Sequence, residues 1–317
     1  MKYTLIAMIV LPAYLLASCD ATEVVAPPVE EEPGLLAFAA QFSPGDDPRL
    51  VLAPFDDPHA FRVVPDLFVV DPRFSPDKSM LLFPGHRGDY LYEALLYSVA
   101  RDTATILISV EEPERRLGLQ TETVVWDAAG AGFYFDLRDG IADVFETYYY
   151  ALGDRSIVRF NEQISPVERI GRDTLIVRGR IERRVVFFLF DPRSGGLTPL
   201  NNPHLDIEAR YVLYRDLDWN EKRRLLAFVE EEEGSRQTRI AITNLDGSFY
   251  QELTSGEYAD HRPRWGPGNV VVFTRAEATF PPRAPATLMT VDVETSEVQP
   301  FLSLEDLGAM DLYYLDY

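Results

Sequence analysis

The sequence predicts an all-β fold, a six-bladed β-propeller over residues 34–317 that is closed by the C-terminal strand completing the first blade. Three observations lead there. A short turn set between an aromatic and an apolar run recurs along the chain, its copies fall at a nearly constant spacing, and the two chain ends hold complementary numbers of strands. The composition agrees: 317 residues, 46% hydrophobic and 12% aromatic, bury a large core and are too apolar to remain disordered. Acidic residues outnumber basic ones by 51 to 30, a formal charge of −21 without a dense Lys/Arg stripe. Such a surface repels nucleic acid and bare anionic lipid.

The first element is a leader. "MKYTLIAMIVLPAYLLASCD" has one positive residue, Lys2, and then an apolar run from Tyr3 to Ala17 broken by Pro12. The run is shorter than the roughly 20 residues that span a bilayer, and residues 1–18 read as a signal peptide. Leu16-Ala17-Ser18-Cys19 resembles the bacterial lipobox, whose cysteine is lipidated and becomes the first mature residue. Cys19 is the only cysteine in the chain, so no intramolecular disulfide forms and the thiol needs another role. Acyl chains on Cys19 would hold the protein on a membrane surface without spanning it, since a second chain turns marginal binding into stable binding. The expected address is the bacterial cell envelope, with the domain outside the cytoplasm. Asp20 resembles an inner-membrane retention signal that varies between lineages, which leaves the choice of membrane open. Residues 19–33, "CDATEVVAPPVEEEP", combine prolines with an acidic run and read as an extended, solvated tether.

The repeating unit follows. "PRFSPDKSMLLF" (72–83), "VVWDAAGAGFYF" (124–135), "LDWNEKRRLLAFV" (217–229) and "PRWGPGNVVVFT" (263–274) each place an aromatic at the end of one strand, a turn, and a second strand. "VERIGRDTLIVRG" (167–179) is a weaker copy with Ile170 in the aromatic's place. From Phe74 the spacings to Trp126, Ile170, Trp219, Trp265 and Tyr317 are 52, 44, 49, 46 and 52 residues, the length of a four-stranded blade. Outer hairpins such as "ALLYSVARDTATILI" and "TRIAITNLDGSFYQELT" supply the remaining strands. The first unit, residues 34–65, has three strands and lacks a leading one, while "MDLYYLDY" (310–317) is a surplus strand that fills the gap and removes an open edge. The competing architecture is a pair of β-sandwiches.

"PRFSPDKSMLLF", "PRWGPGNVVVFT" and "IAITNLDGSFYQELTSG" resemble the repeats of TolB-like six-bladed β-propellers, whose blades carry an aromatic-Ser-Pro-Asp-Gly turn and a later Asp-Gly turn ahead of Leu-Thr. The resemblance covers residues 34–317 and is clearest in the units at 72 and 217–274. Lys78 stands where the family has Gly, Trp219 is followed by Asn-Glu-Lys without Pro, and the unit at 167 lacks the aromatic, so altered turns are expected in those blades. The N-terminal α/β domain of TolB itself is missing.

Catalytic signatures are sparse. The chain has no Gly-x-Ser-x-Gly elbow, and His59, His86, His204 and His261 lie in separate units without zinc-ligand spacing. "DAAGAG" (127–132) precedes no helix and reads as a hairpin turn rather than a phosphate loop. No metal or cofactor is expected.

The residues just before the closing aromatics, or their equivalents, are Arg73, Val125, Arg169, Asp218, Arg264 and Asp316, and in a closed propeller these innermost strands surround the axis. One reading has the charges pair to fill the channel, as buried charges usually do. The other has surplus Arg bind an anionic ligand or a partner's carboxylate, for which its fork is suited. The loop "YADHRPRW" places Asp260, His261 and Arg262 at the expected mouth. "VEEEEGSRQ" (229–237) reads as a solvated hairpin tip, and "TYYYALG" (147–153) is assignable to neither face nor core.

The first functional reading, which the resemblance implies, is a non-enzymatic envelope lipoprotein whose propeller is a protein-binding or ligand-sensing platform. Its partners would be the membrane, through the lipid on Cys19, and another envelope protein or an anionic small ligand. The alternatives are a small-molecule or glycan-processing propeller enzyme, which would need acid/base residues or a metal at one mouth, and a carbohydrate-binding component of an uptake system.

Overall fold

The computed structural model describes residues 34–69, 71–85, 93–109, 119–121, 123–139, 144–160, 163–181, 184–205, 216–231, 237–278 and 286–316. The leader, Cys19 and the tether lie outside the described residues.

The described chain is strand-rich, with one short helix, α1 (Leu304–Leu307). Its first sheet orders β25 (Asp311–Asp316), β1 (Leu35–Gln41), β2 (Arg49–Pro54) and β3 (Arg62–Phe68), so the last strand pairs antiparallel with the first. The second sheet runs β4 (Arg73–Phe74), β5 (Met80–Gly85), β6 (Glu93–Ser98) and β7 (Thr103–Ser109). The third contains β8 (Leu119–Gln120), β9 (Val124–Trp126), β10 (Gly132–Asp139), β11 (Val144–Ala151) and β12 (Ile157–Arg159). The fourth is β13 (Ser165–Ile170), β14 (Thr174–Ile181), β15 (Arg184–Asp191) and β16 (Gly196–Pro199). Two further arrays follow: β17 (Asp218–Asn220), β18 (Leu225–Glu231), β19 (Thr238–Thr243) and β20 (Tyr250–Glu252), then β21 (Ala259–Trp265), β22 (Val270–Ala276), β23 (Thr287–Asp292) and β24 (Val298–Leu302). These two are bridged by one parallel pair, Thr238 opposite Ala259.

The second strand of each array explains the apolar runs seen in the sequence. It is buried on both faces, so alternate side chains serve different neighbours. Leu36, Phe38 and Ala40 pack with Val272, Leu288 and Leu302 of the last array, whereas Ala37 and Ala39 pack with Leu81 and Phe83 of the second sheet. Leu82 turns instead to Phe133 and Phe135. Leu175 and Val177 join Val125 and Phe190, while Ile176 joins Leu226 and Phe228. Ala227 and Val229 face Val271 and Phe273. A one-residue slip in any of these strands would exchange its two faces.

Two expectations are corrected. The Lys78 turn is not altered: Ser75 N donates to Met80 O and Lys78 N to Ser75 O, as Asp127 N does to Gly132 O and Gly130 N to Asp127 O. Lys78 adopts φ 57°, close to the 66° of Gly130, so the backbone kept the left-handed residue and the lysine carries its strain. The stretch beginning "VEEEE" is not solvated throughout. Glu230 is buried on β18 and accepts from Arg239 Nε at 3.0 Å and from the Tyr250 hydroxyl at 2.7 Å. The tyrosine run divides between core and turn: Tyr150 is buried against Phe133, while Tyr149 donates to Asp127 at 2.6 Å.

Candidate functional site

The inner turns of four successive sheets converge on a cavity of about 230 Å³. Arg73, Ser75 and Lys78 enter it from the second sheet, Val125 and Trp126 from the third, Glu168 and Arg169 from the fourth, and Asp218, Trp219 and Glu221 from the fifth array. Three cations and three carboxylates therefore share one cup.

Indole hydrogen bonds set the walls in place. Trp126 Nε1 donates to the carbonyl of Arg73 at 2.9 Å, and Trp265 Nε1 to the carbonyl of Asp218 at 3.1 Å. Trp219 is arranged differently: its Nε1 donates to Glu221 Oε2 at 2.7 Å, and the same oxygen accepts from Gly171 N at 2.9 Å, reaching back to the preceding sheet. The Trp219 indole, ahead of other donors, holds the Glu221 carboxyl below its ordinary range. In the Lys78 turn, the Ser75 hydroxyl is the leading cause of a low Asp77 carboxyl.

Beneath the cup the charges form a chain. Arg73 lies 3.6 Å from Glu168 and 3.5 Å from Asp71, and Arg264, with 2% of its side chain exposed, lies 3.6 Å from the other Asp71 oxygen. Arg264 also donates to Pro263 O at 2.9 Å. Burial lifts the Glu168 carboxyl above its ordinary range, against the opposing pull of Arg73 and the Arg169 N–H. Further along, His261 Nδ1 is 3.7 Å from Asp216 Oδ2. Burial pushes the Asp216 carboxyl up, but His261, Arg262 and Arg264 outweigh it and hold it low.

Of the residues selected from the sequence, Arg73, Val125, Arg169 and Asp218 meet at the cup, and Arg264 joins through Asp71. Asp316 lies on β25 opposite Ala37. "YADHRPRW" is not a loop: Ala259–Trp265 is strand β21, with a register shift between His261 and Arg264 where Arg262 takes φ 58°. Asp260 does not present itself to a ligand, because it is fully buried and receives Arg275 Nε at 2.7 Å and Nη2 at 2.8 Å. Cys19 lies outside the described residues.

Sequence reasoning missed Asp71, Glu168 and Asp216. Asp71 and Asp216 stand two positions before Arg73 and Asp218 but lie outside β4 and β17, Asp71 with φ 45°, so strand alternation did not point to them. Glu168 gave no signal either, since a register shift between Pro166 and Glu168 breaks the alternation.

Arg169 differs from the other guanidinium groups here. It is half-buried at the cup and donates from Nη1 to Gly171 O at 2.7 Å, yet among the described residues no carboxylate lies within 4 Å of it. Among the described residues no cluster of His, Cys, Asp and Glu has metal-binding geometry, and no helix is long and apolar enough to cross a membrane.

No protein-family model matches the sequence, and no curated protein matches it. Solved structures do. TolB from Acinetobacter baumannii superposes with a TM-score of 0.70 at 15% identity, over 89% of this chain and 66% of that one, so the chain spans just under two thirds of that protein's length. A putative TolB from Agrobacterium tumefaciens gives 0.61 at 16% identity, over 88% of this chain and 97% of that one. A chain of the nidogen/laminin complex gives 0.60 at 12% identity, over 89% and 98%. At these identities the likeness speaks for the fold: the chain folds as a β-propeller similar to TolB structures.

Proposed function

We propose that this chain is a membrane-anchored lipoprotein of the bacterial cell envelope whose six-bladed propeller, closed by β25 on β1, is a non-enzymatic platform for a protein or small ligand. The cup carries this reading. Four consecutive repeats point their inner turns at one cavity, and that cavity keeps a half-buried Arg169 whose guanidinium has no described carboxylate within 4 Å. A group built only to plug the axis would be paired, as Arg73 and Arg264 are. Six apolar layers shared in cyclic order, including one between the first and last arrays, support the closed six-bladed ring. A similar propeller chain is found in the nidogen/laminin complex, a protein assembly. The lipid anchor rests on the Leu16-Ala17-Ser18-Cys19 stretch and the absence of any other cysteine.

A pull-down from membrane extracts, with the mature chain beside an Arg169→Asp, Lys78→Glu variant, tests the platform. Arg264 is left intact because its burial makes its replacement a folding defect. A partner lost only in a variant that melts like the parent supports the cup as the working surface; a partner retained by that variant removes it.

A further inference from the structure

The cup has a chemistry more specific than "anionic". Glu168, Asp218 and Glu221 line it with Arg73, Lys78 and Arg169, and Arg73 is already engaged by Glu168 and Asp71, so the lining has no cationic excess and a dianion such as phosphate meets more repulsion there than a monoanion. A single carboxylate minimises that repulsion and matches the planar fork. Arg169 spends only Nη1 on Gly171 O, leaving most of its five N–H donors for a ligand. Trp219, partly buried against the core and lining the cavity, provides an apolar wall, and its indole N–H is already committed to Glu221, so the wall offers ring surface rather than a donor. The cavity of about 230 Å³ holds roughly eight waters' worth of volume, enough for a body of one or two fused rings.

We propose that the cup binds an organic monocarboxylate with a flat apolar body, the carboxylate on Arg169 and the body against Trp219. This rests on the cup being the working surface. The same chemistry is offered by a free small acid and by the C-terminal carboxylate of a chain ending in an aromatic residue.

Isothermal titration of the full chain in detergent with indole-3-acetate, indole-3-acetamide and inorganic phosphate tests it. The sources are separated by an acetylated tetrapeptide ending in Trp, as free acid and as amide. The expected result is binding of at least one of the two acids, each about 10-fold or more tighter than its amide, with phosphate silent and binding lost in Arg169→Gln. Indole-3-acetate binding points to a free acid, and binding of the peptide acid alone points to a chain terminus. Equal affinities for acid and amide, phosphate binding in their place, or no heat from either acid up to about 1 mM overturn the proposal. The acid-against-amide comparison uses the parent protein and stands even where the variant fails to fold. A cup-dependent protein partner without carboxylate binding overturns this inference and leaves the platform intact.

Discussion

The indole of Trp126 donates to the backbone carbonyl of Arg73, 53 positions earlier, at 2.9 Å, and so ties the third sheet to the residue that anchors the buried charge chain of the second. Trp265 repeats the relationship on Asp218. The indoles of Trp126 and Trp265 are therefore ties between neighbouring sheets as well as core. Trp126→Phe keeps most of the ring but strands a carbonyl, and is expected to lower stability by about 1–3 kcal/mol. Urea denaturation reads this; an unchanged midpoint at equal slope would show that the tie contributes nothing.

Deleting residues 310–317 removes β25, whose Leu312 and Leu315 are buried with Leu36 and Phe38. The loss of those two leucines alone is worth roughly 3–6 kcal/mol, and the edge of β1 is left open. A thermal melt should show a shift large enough to threaten folding of the whole domain. A truncated protein that melts like the parent would refute closure by this strand.

Asp260 and Arg275 form a two-bond pair with the carboxylate fully buried. Replacing Asp260 by Ala leaves a cation facing the interior and is expected to cost about 3–5 kcal/mol. The Asp260→Ala, Arg275→Leu double variant should recover a good part of this, because Arg275 also lies over Phe273 and Tyr258, where an apolar side chain can pack. If the double variant is no better than the single one by chemical denaturation, the stranded charge is not the cause.

Glu168 and Asp216 should give opposite pH dependences. The raised Glu168 carboxyl contributes most where it is protonated in both folded and unfolded chains, and that contribution fades as pH rises from the ordinary glutamate range to the folded value. The depressed Asp216 carboxyl stabilises above the ordinary aspartate range and loses that contribution as pH falls through its folded value. Glu168→Gln should therefore flatten the stability profile above about pH 4.5, and Asp216→Asn should flatten it below about pH 4. Denaturation midpoints across that range that stay parallel to the parent's would remove both assignments.

Lys78 holds φ 57° at a turn position where the equivalent residue in the next sheet is glycine. Lys78→Gly relieves left-handed strain of about 1–2 kcal/mol and loosens the unfolded chain by about 0.4–1 kcal/mol, so a net gain near 0.5 kcal/mol is expected. A lower melting temperature would mean that the lysine side chain does more for the fold than its backbone strain takes away.

Strand positions and pairings were legible because each depends on local pattern. Phe74 and Trp126 mark the ends of β4 and β9, their turns share one hydrogen-bond scheme at the predicted spacing, and the surplus strand at the C-terminus pairs with β1. The candidate site was legible in part. Arg73, Arg169 and Asp218 follow from knowing which strand precedes each turn, whereas Glu168, which meets Arg73 from another sheet, depends on how sheets remote in the sequence come together.

The sequence by itself determined the all-β class, the repeat and the pairing of the chain ends, since alternation, turn chemistry and spacing are properties of neighbouring residues. Only the tertiary structure decided which charges are neutralised. Arg73, Arg169 and Arg264 occupy the same position in their repeats, yet among the described residues two have a carboxylate within 4 Å and Arg169 has none. Coulomb attraction acts across space between strands remote in the chain, and a single register shift beside Glu168 or Arg264 is enough to change which partner comes within reach.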